Sequence, residues 1–161
     1  MKKLIGALGV IVISAGLFAP AASAQIEKVS TTRTMYDKSY GVKSTITIEY
    51  EVDNTNRGEF YKLTKVTGSI KPESLMFITY ADVEIGMNGS YYGKVLASQH
   101  KKFDISKTLK YTYYPAKTYK WKPVVIPPVV GAVGANIHAK IQRGGSKGSK
   151  WTFDHTNVVQ K

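Results

Sequence analysis

Three imidazoles, at His100, His138 and His155, are the side chains of this sequence best suited to move a proton near neutral pH. None lies in an HExxH motif, and no two stand at the close spacing that ligates zinc, so the pattern supports neither a metal nor any other cofactor. There is no cysteine, which excludes thiolate catalysis and disulfides together. No P-loop, no GxSxG and no GxGxxG opening a helix is present. A proton-transfer site needs a partner within reach of its base. If the strands flanking the glycine-rich stretch at 144–148 pair with Arg143 opposite Ser149, His138 faces Asp154 on the polar side. A carboxylate-held imidazole is an oriented base. The same two residues also make an ordinary cross-strand charge pair. No nucleophile or third member can be named, so a small secreted hydrolase using His138 and Asp154 stands as one alternative.

A second constellation interleaves rings with ammonium groups: Lys110, Tyr114, Lys117, Tyr119, Lys120, Trp121 and Lys122. Aromatic faces stack on sugar rings, and lysines neutralise phosphate or carboxylate. Tyrosine is equally a favoured strand residue, with lysine as its outward neighbour. Adjacent tyrosines in a strand point to opposite faces, so Tyr111 and Tyr113 in a core would leave Tyr114 outside. These seven residues form the expected ligand-binding set. Lysines outnumber arginines 20 to 3. Bidentate readout of guanine or phosphate favours arginine, so sequence-specific nucleic-acid recognition is not expected. Asp154-His155, near the end of a basic chain, resembles the Asp-His pair of the small bacterial ribonucleases of the barnase type. The resemblance covers those two residues. The glutamate, paired arginines and N-terminal helix of that family have no counterparts here, and its activity is not carried over.

The positioning elements follow from the rest of the chain. Lys2 and Lys3 precede an apolar run, and Ala22-Ser23-Ala24 fits a signal-peptidase site. Residues 1–24 read as a cleaved N-terminal signal helix too short to span a bilayer, and 25–161 as the exported domain. The absence of cysteine, with the Lys2-Lys3 start, points to a bacterium of the Gram-positive kind, and with no LPxTG-like sorting motif the protein is expected to be either released or held outside by non-covalent forces. Without Lys2 and Lys3, 21 basic residues stand against 11 acidic ones. Such an excess draws polyanions or merely aids solubility.

Period-two alternation runs almost throughout the exported part. Val42, Ile46, Ile48, Tyr50 and Val52 share one face, with Lys43, Thr45, Thr47, Glu49 and Glu51 on the other. Leu75, Phe77, Ala81, Val83 and Ile85 are expected to share a second inward face. Ile105, Leu109, Tyr111 and Tyr113 mark a third strand. Ala135, Ile137, Ala139 and Ile141 mark a fourth, and Trp151, Phe153 and Val159 a fifth. Weaker candidates lie at 29–36, 59–70 and 91–97. The fold expected is a single antiparallel β-sandwich of Ig-like, Greek-key type with about seven or eight strands. The uncharged stretch 123–134, broken by Pro127-Pro128, reads as core segments about a bend or as an exposed loop that enters a membrane. The function expected is non-enzymatic association with an anionic extracellular or envelope polymer, such as wall teichoic acid or an acidic polysaccharide. A membrane-active bacteriocin-like protein meeting an anionic membrane surface is the other alternative.

Overall fold

Where β-branched and polar side chains alternate, an extended strand buries one face and leaves the other in water. Val42–Thr55 (β2) does so without interruption, with Val42, Ile46, Ile48, Tyr50 and Val52 all buried. The computed structural model describes residues 25–55, 58–91, 94–95, 99–126, 131–145 and 147–160, which are almost wholly strand. The expected signal segment at 1–24 lies outside the described residues, as do Arg57 and the Pro127-Pro128 bend.

Two antiparallel sheets face each other, an arrangement consistent with a β-sandwich. In the first, Gln25–Tyr36 (β1), β2 and Gly58–Pro72 (β3) form a meander. The next strand, Met76–Asn88 (β4), crosses to the other sheet. Ser90–Tyr91 (β5) and Lys94–Val95 (β6) return to the first, His100–Asp104 (β7) joins the second, and Lys110–Tyr113 (β8) pairs with β3. A single helical turn, Pro115–Thr118 (α1), leads to Val124–Val125 (β9), also on β3. The chain ends in the hairpin of Ala132–Arg143 (β10) and Lys150–Val159 (β11), giving a second sheet ordered β11-β10-β4-β7. Among the described residues there are eleven strands, eight of them four residues or longer, against the seven or eight expected.

Ile46, Ile48, Leu63 and Val66 from the first sheet and Val83, Ile85, Ile137 and Ile141 from the second fill the space between them, each essentially without exposure. Each such side chain contributes about 1.5–3 kcal/mol on leaving water, so this layer holds a fold that has no disulfide.

Two bulges correct the sequence reading. The β4–β10 register slips so that Tyr80 faces Lys140 while Ile78 faces Ile141, leaving Thr79 unmatched. One extra residue reverses which side chains point inward. Ala81, Val83 and Ile85 are buried as expected, but Leu75 and Phe77 are exposed, and Met76 and Ile78 take the inner side. Likewise Thr64 is extra where Glu49 faces Lys65 and Tyr50 faces Leu63, and its hydroxyl donates to the Glu49 carbonyl. A further correction concerns Ile105 and Leu109, expected in one strand. They bracket a turn, in which the Ile105 carbonyl accepts from Thr108 and Leu109, and the strand begins only at Lys110.

The long sides of the sandwich close differently. Along β11 the inward residues reach across to the first sheet by hydrogen bonds. Trp151 Nε1 donates to Asp37, His155 Nδ1 pairs with Ser44 Oγ at 2.8 Å, and Asn157 Nδ2 donates to the Thr31 and Ile46 carbonyls. On the other side rings do the work. Phe103 of β7 stacks on Tyr113 of β8 with centroids 4.0 Å apart, Tyr119 lies 6.1 Å from Phe103, and Trp121 lies 6.0 Å from Tyr119.

Candidate functional site

The outward side of β2 carries Lys43, Thr45 and Thr47, and antiparallel register sets other polar residues beside them. Thr32, Thr47, Thr67 and Thr112 stand in one row across β1, β2, β3 and β8. Thr34, Thr45, Ser69 and Lys110 form the next, and Tyr36, Lys43 and Lys71 the one after. Threonine suits this position because its branched Cβ favours the extended backbone while its hydroxyl stays in solvent. Thr32 and Thr47 share a hydroxyl–hydroxyl hydrogen bond of 2.8 Å. The rows floor a shallow, open trough of about 600 Å³. It is lined by hydroxyls with Lys71 and Lys110 at one end, and no carboxylate lines it.

Charge along this face is graded. At one end Lys65 meets Glu49 at 2.8 Å and Lys62 meets Glu51 at 3.1 Å. The Glu49 partner raises the Lys65 ammonium above the ordinary lysine range. At the other end Lys43 and Lys71 are directly opposed across strands, with Lys110 on the adjoining row, all exposed. Lys43 lies over the Tyr36 ring at 5.6 Å. Like charges set opposite each other in a sheet repel, and an anion between them relieves that repulsion.

The outer face of the second sheet is different. Register places Asp154, His138, Asp82 and Asp104 in one row across its four strands. The hairpin register is the expected one: Arg143 N–H donates to the Ser149 carbonyl, and His138 Nδ1 lies 2.8 Å from Asp154 Oδ1. Asp82 is buried beneath the Lys102 ammonium at 3.0 Å, and that hydrogen bond raises the Lys102 pKa. Asp104 is held below the ordinary carboxylate range by the Ser106 hydroxyl and N–H. His138 forms one hydrogen bond, to Asp154, and among the described residues no nucleophile joins it. The four residues of the row do not converge into a group that could hold a metal ion. His155, the other half of the Asp-His dipeptide, is buried and faces Ser44. Burial, with Arg33 nearby, lowers its pKa.

The seven residues expected to form a binding set are dispersed. Lys110 belongs to the trough. Trp121 is the clear correction: only 8% exposed, it belongs to the core, because Tyr119 and Phe103 draw the loop's rings into the closing stack. Tyr119 is half-buried in that stack, with the Lys101 ammonium 5.2 Å from its ring centre. Lys122 is exposed at its side chain, while its backbone is clamped in both directions by the Gln99 amide. Tyr114, Lys117 and Lys120 are exposed around α1. Sequence reasoning missed Lys43 and Lys71. The outward parity of Lys43 was visible, but its juxtaposition with Lys71 depends on strand register.

The described part of the apolar stretch at 123–134 lies inside: Val124, Ile126 and Val133 are buried. No helix among the described residues is long and apolar enough to cross a membrane. Compared with family models, with curated proteins and with solved structures, the chain matches none.

Proposed function

We propose that this is an exported, non-enzymatic protein that binds an anionic polymer of the cell envelope, a polyol phosphate of the teichoic-acid kind or an acidic glycan, on the outer face of its first sheet. The observation that carries the reading is the group formed by Lys43, Lys71 and Lys110, without acidic partners among the described residues, at the end of a hydroxyl-lined trough. A repeating chain of anions and hydroxyls matches it term by term. Its charges neutralise the opposed ammonium groups, and its hydroxyls exchange hydrogen bonds with the threonine rows. The basic balance of the whole chain steers such a polymer towards it. An Ig-like, Greek-key connectivity belongs to the same proposal, supported by the crossing of the chain between sheets from β3 to β4 and from β7 to β8. Export by the segment at 1–24 belongs to it as well, supported by Ala22-Ser23-Ala24.

Sedimentation with purified cell walls at stepped salt concentrations tests the reading. The protein should bind at low ionic strength, release as salt rises, and bind less to walls stripped of teichoic acid. Failure to bind in dilute buffer would remove the proposal.

A further inference from the structure

The turns after β1, β3 and β10 lie at one end of the sandwich and are tied to one another. Glu73 N–H donates to the Gly41 carbonyl at 2.8 Å, and Gly144 N–H to the Leu75 carbonyl at 2.9 Å. Asp37 is the hub. Its buried carboxylate accepts from Ser39 N–H, Ser39 Oγ, Val42 N–H and Trp151 Nε1. Burial alone would raise its pKa; those donors outweigh burial and lower it. This end is therefore a fixed surface, not a set of independent loops.

What the fixed surface shows is apolar. Tyr40 and Leu75 are the most exposed large hydrophobic residues described, at 74% and 69%. Both have left-handed backbones, with φ of 57° and 67°. That conformation is unfavourable for residues with such side chains, and asparagine tolerates it better. Phe77, turned outward on the second sheet by the Thr79 bulge, and Tyr36 and Met35 at the end of β1 are exposed at the same end. Tyr36 and Tyr40 are 6.1 Å apart, centre to centre. Isolated exposed apolar residues need no explanation, but here five of the seven described belong to one end. Exposed cations surround them: Lys38, Lys43, Lys71, Arg143, Lys147 and Lys150. Among these turns the acids are Asp37, already saturated with donors, and Glu73.

We infer that this end docks on an anionic phospholipid bilayer, with Tyr40 and Leu75 entering the interface and the basic ring over the headgroups. Aromatic and aliphatic tips enter the headgroup region, and lysines nearby add attraction to anionic lipid, so the two kinds of residue suit one occupant. The inference stands apart from polymer binding. Tyr40, Leu75, Phe77 and Met35 lie outside the trough, and the two surfaces share Tyr36, Lys43 and Lys71 at their border.

The test is co-sedimentation of the whole exported domain with vesicles of phosphatidylcholine alone or mixed with phosphatidylglycerol. The wild type should bind the mixed vesicles and not the neutral ones. The double substitution Tyr40→Asn with Leu75→Asn keeps every charge and relieves both left-handed positions. It should lose at least about tenfold in vesicle affinity while its thermal midpoint stays level or rises. Trp151, beside the hub, should be quenched by brominated acyl chains more than by brominated headgroup-free solute. No binding to the mixed vesicles, or equal binding by the double variant, overturns the inference. Wall-polymer binding by the double variant should match the wild type, so loss of one activity is told apart from loss of the other.

Discussion

The two sheets turn opposite chemistry to the solvent. On the second, Lys102 covers Asp82, Asp154 pairs with His138, and Lys140 lies over the Tyr80 ring. On the first, pairing stops halfway, and among the described residues Lys43, Lys71 and Lys110 stand beside hydroxyls, the Tyr36 ring and one another, with no carboxylate opposite them. Net charge alone does not distinguish these faces. Register does, by deciding whether the residue across the strand is a carboxylate or a second ammonium. A basic protein can thus confine its affinity for polyanions to the face where acids are missing from the rows.

That contrast can be broken outright. Lys43→Glu, Lys71→Glu and Lys110→Glu together should lower wall-polymer affinity at least about a hundredfold, since loss of each lysine alone costs roughly 1 kcal/mol near an anionic surface and the new carboxylates add repulsion. The same number of reversals at Lys117, Lys120 and Lys122 should cost only about threefold, through long-range attraction alone. Equal losses in the two variants, measured by the same sedimentation assay, would mean that the face has no special role. A milder change imports the logic of the second sheet. Ser69→Glu places a carboxylate directly opposite Lys110 and should reduce polymer affinity about tenfold, with stability within about 0.5 kcal/mol of wild type.

The inner and outer histidines of the second sheet sharpen the contrast further. His155 has its pKa lowered by burial, so the folded state binds fewer protons than the unfolded one below the ordinary 6.5. Its contribution to stability is complete above 6.5 and declines as pH falls through that value. Asp37, also lowered, loses its contribution only below the ordinary 3.8. Thermal midpoints measured across this range should therefore fall in two stages. His155→Gln should remove the first and His138→Gln should not. The smallest effect expected is at Tyr111. Among the described residues its buried hydroxyl has no hydrogen-bond partner, and its pKa is raised by burial. Tyr111→Phe should leave both faces unaltered and raise stability by about 1 kcal/mol in denaturant titration.

Legibility of the fold followed continuity of pattern. β2 and the β10–β11 hairpin were readable, down to His138 opposite Asp154, because nothing interrupts their alternation. β3 and β4 each contain one unmatched residue, Thr64 and Thr79, so a single-parity reading assigns part of each strand to the wrong side. β1 is an edge strand in which Val29 and Thr31 are only half-buried, so it carries little apolar signal. β7 was not anticipated, since His100, Lys101, Lys102 and Asp104 make it almost wholly polar. The candidate site was less legible still. Its lysines come from three strands, and no local spacing in the chain predicts that β3 brings Lys71 to Lys43.

Asn157 gives the molecule an order of assembly. Its amide, carried by the last strand, completes the hydrogen bonding of carbonyls on the first two, at Thr31 and Ile46. Synthesis from the N-terminus delivers those carbonyls early and their partner late. Until the final strand arrives, the nascent meander holds an unsealed margin, and a chain cut short before β11 has nothing to seal it with.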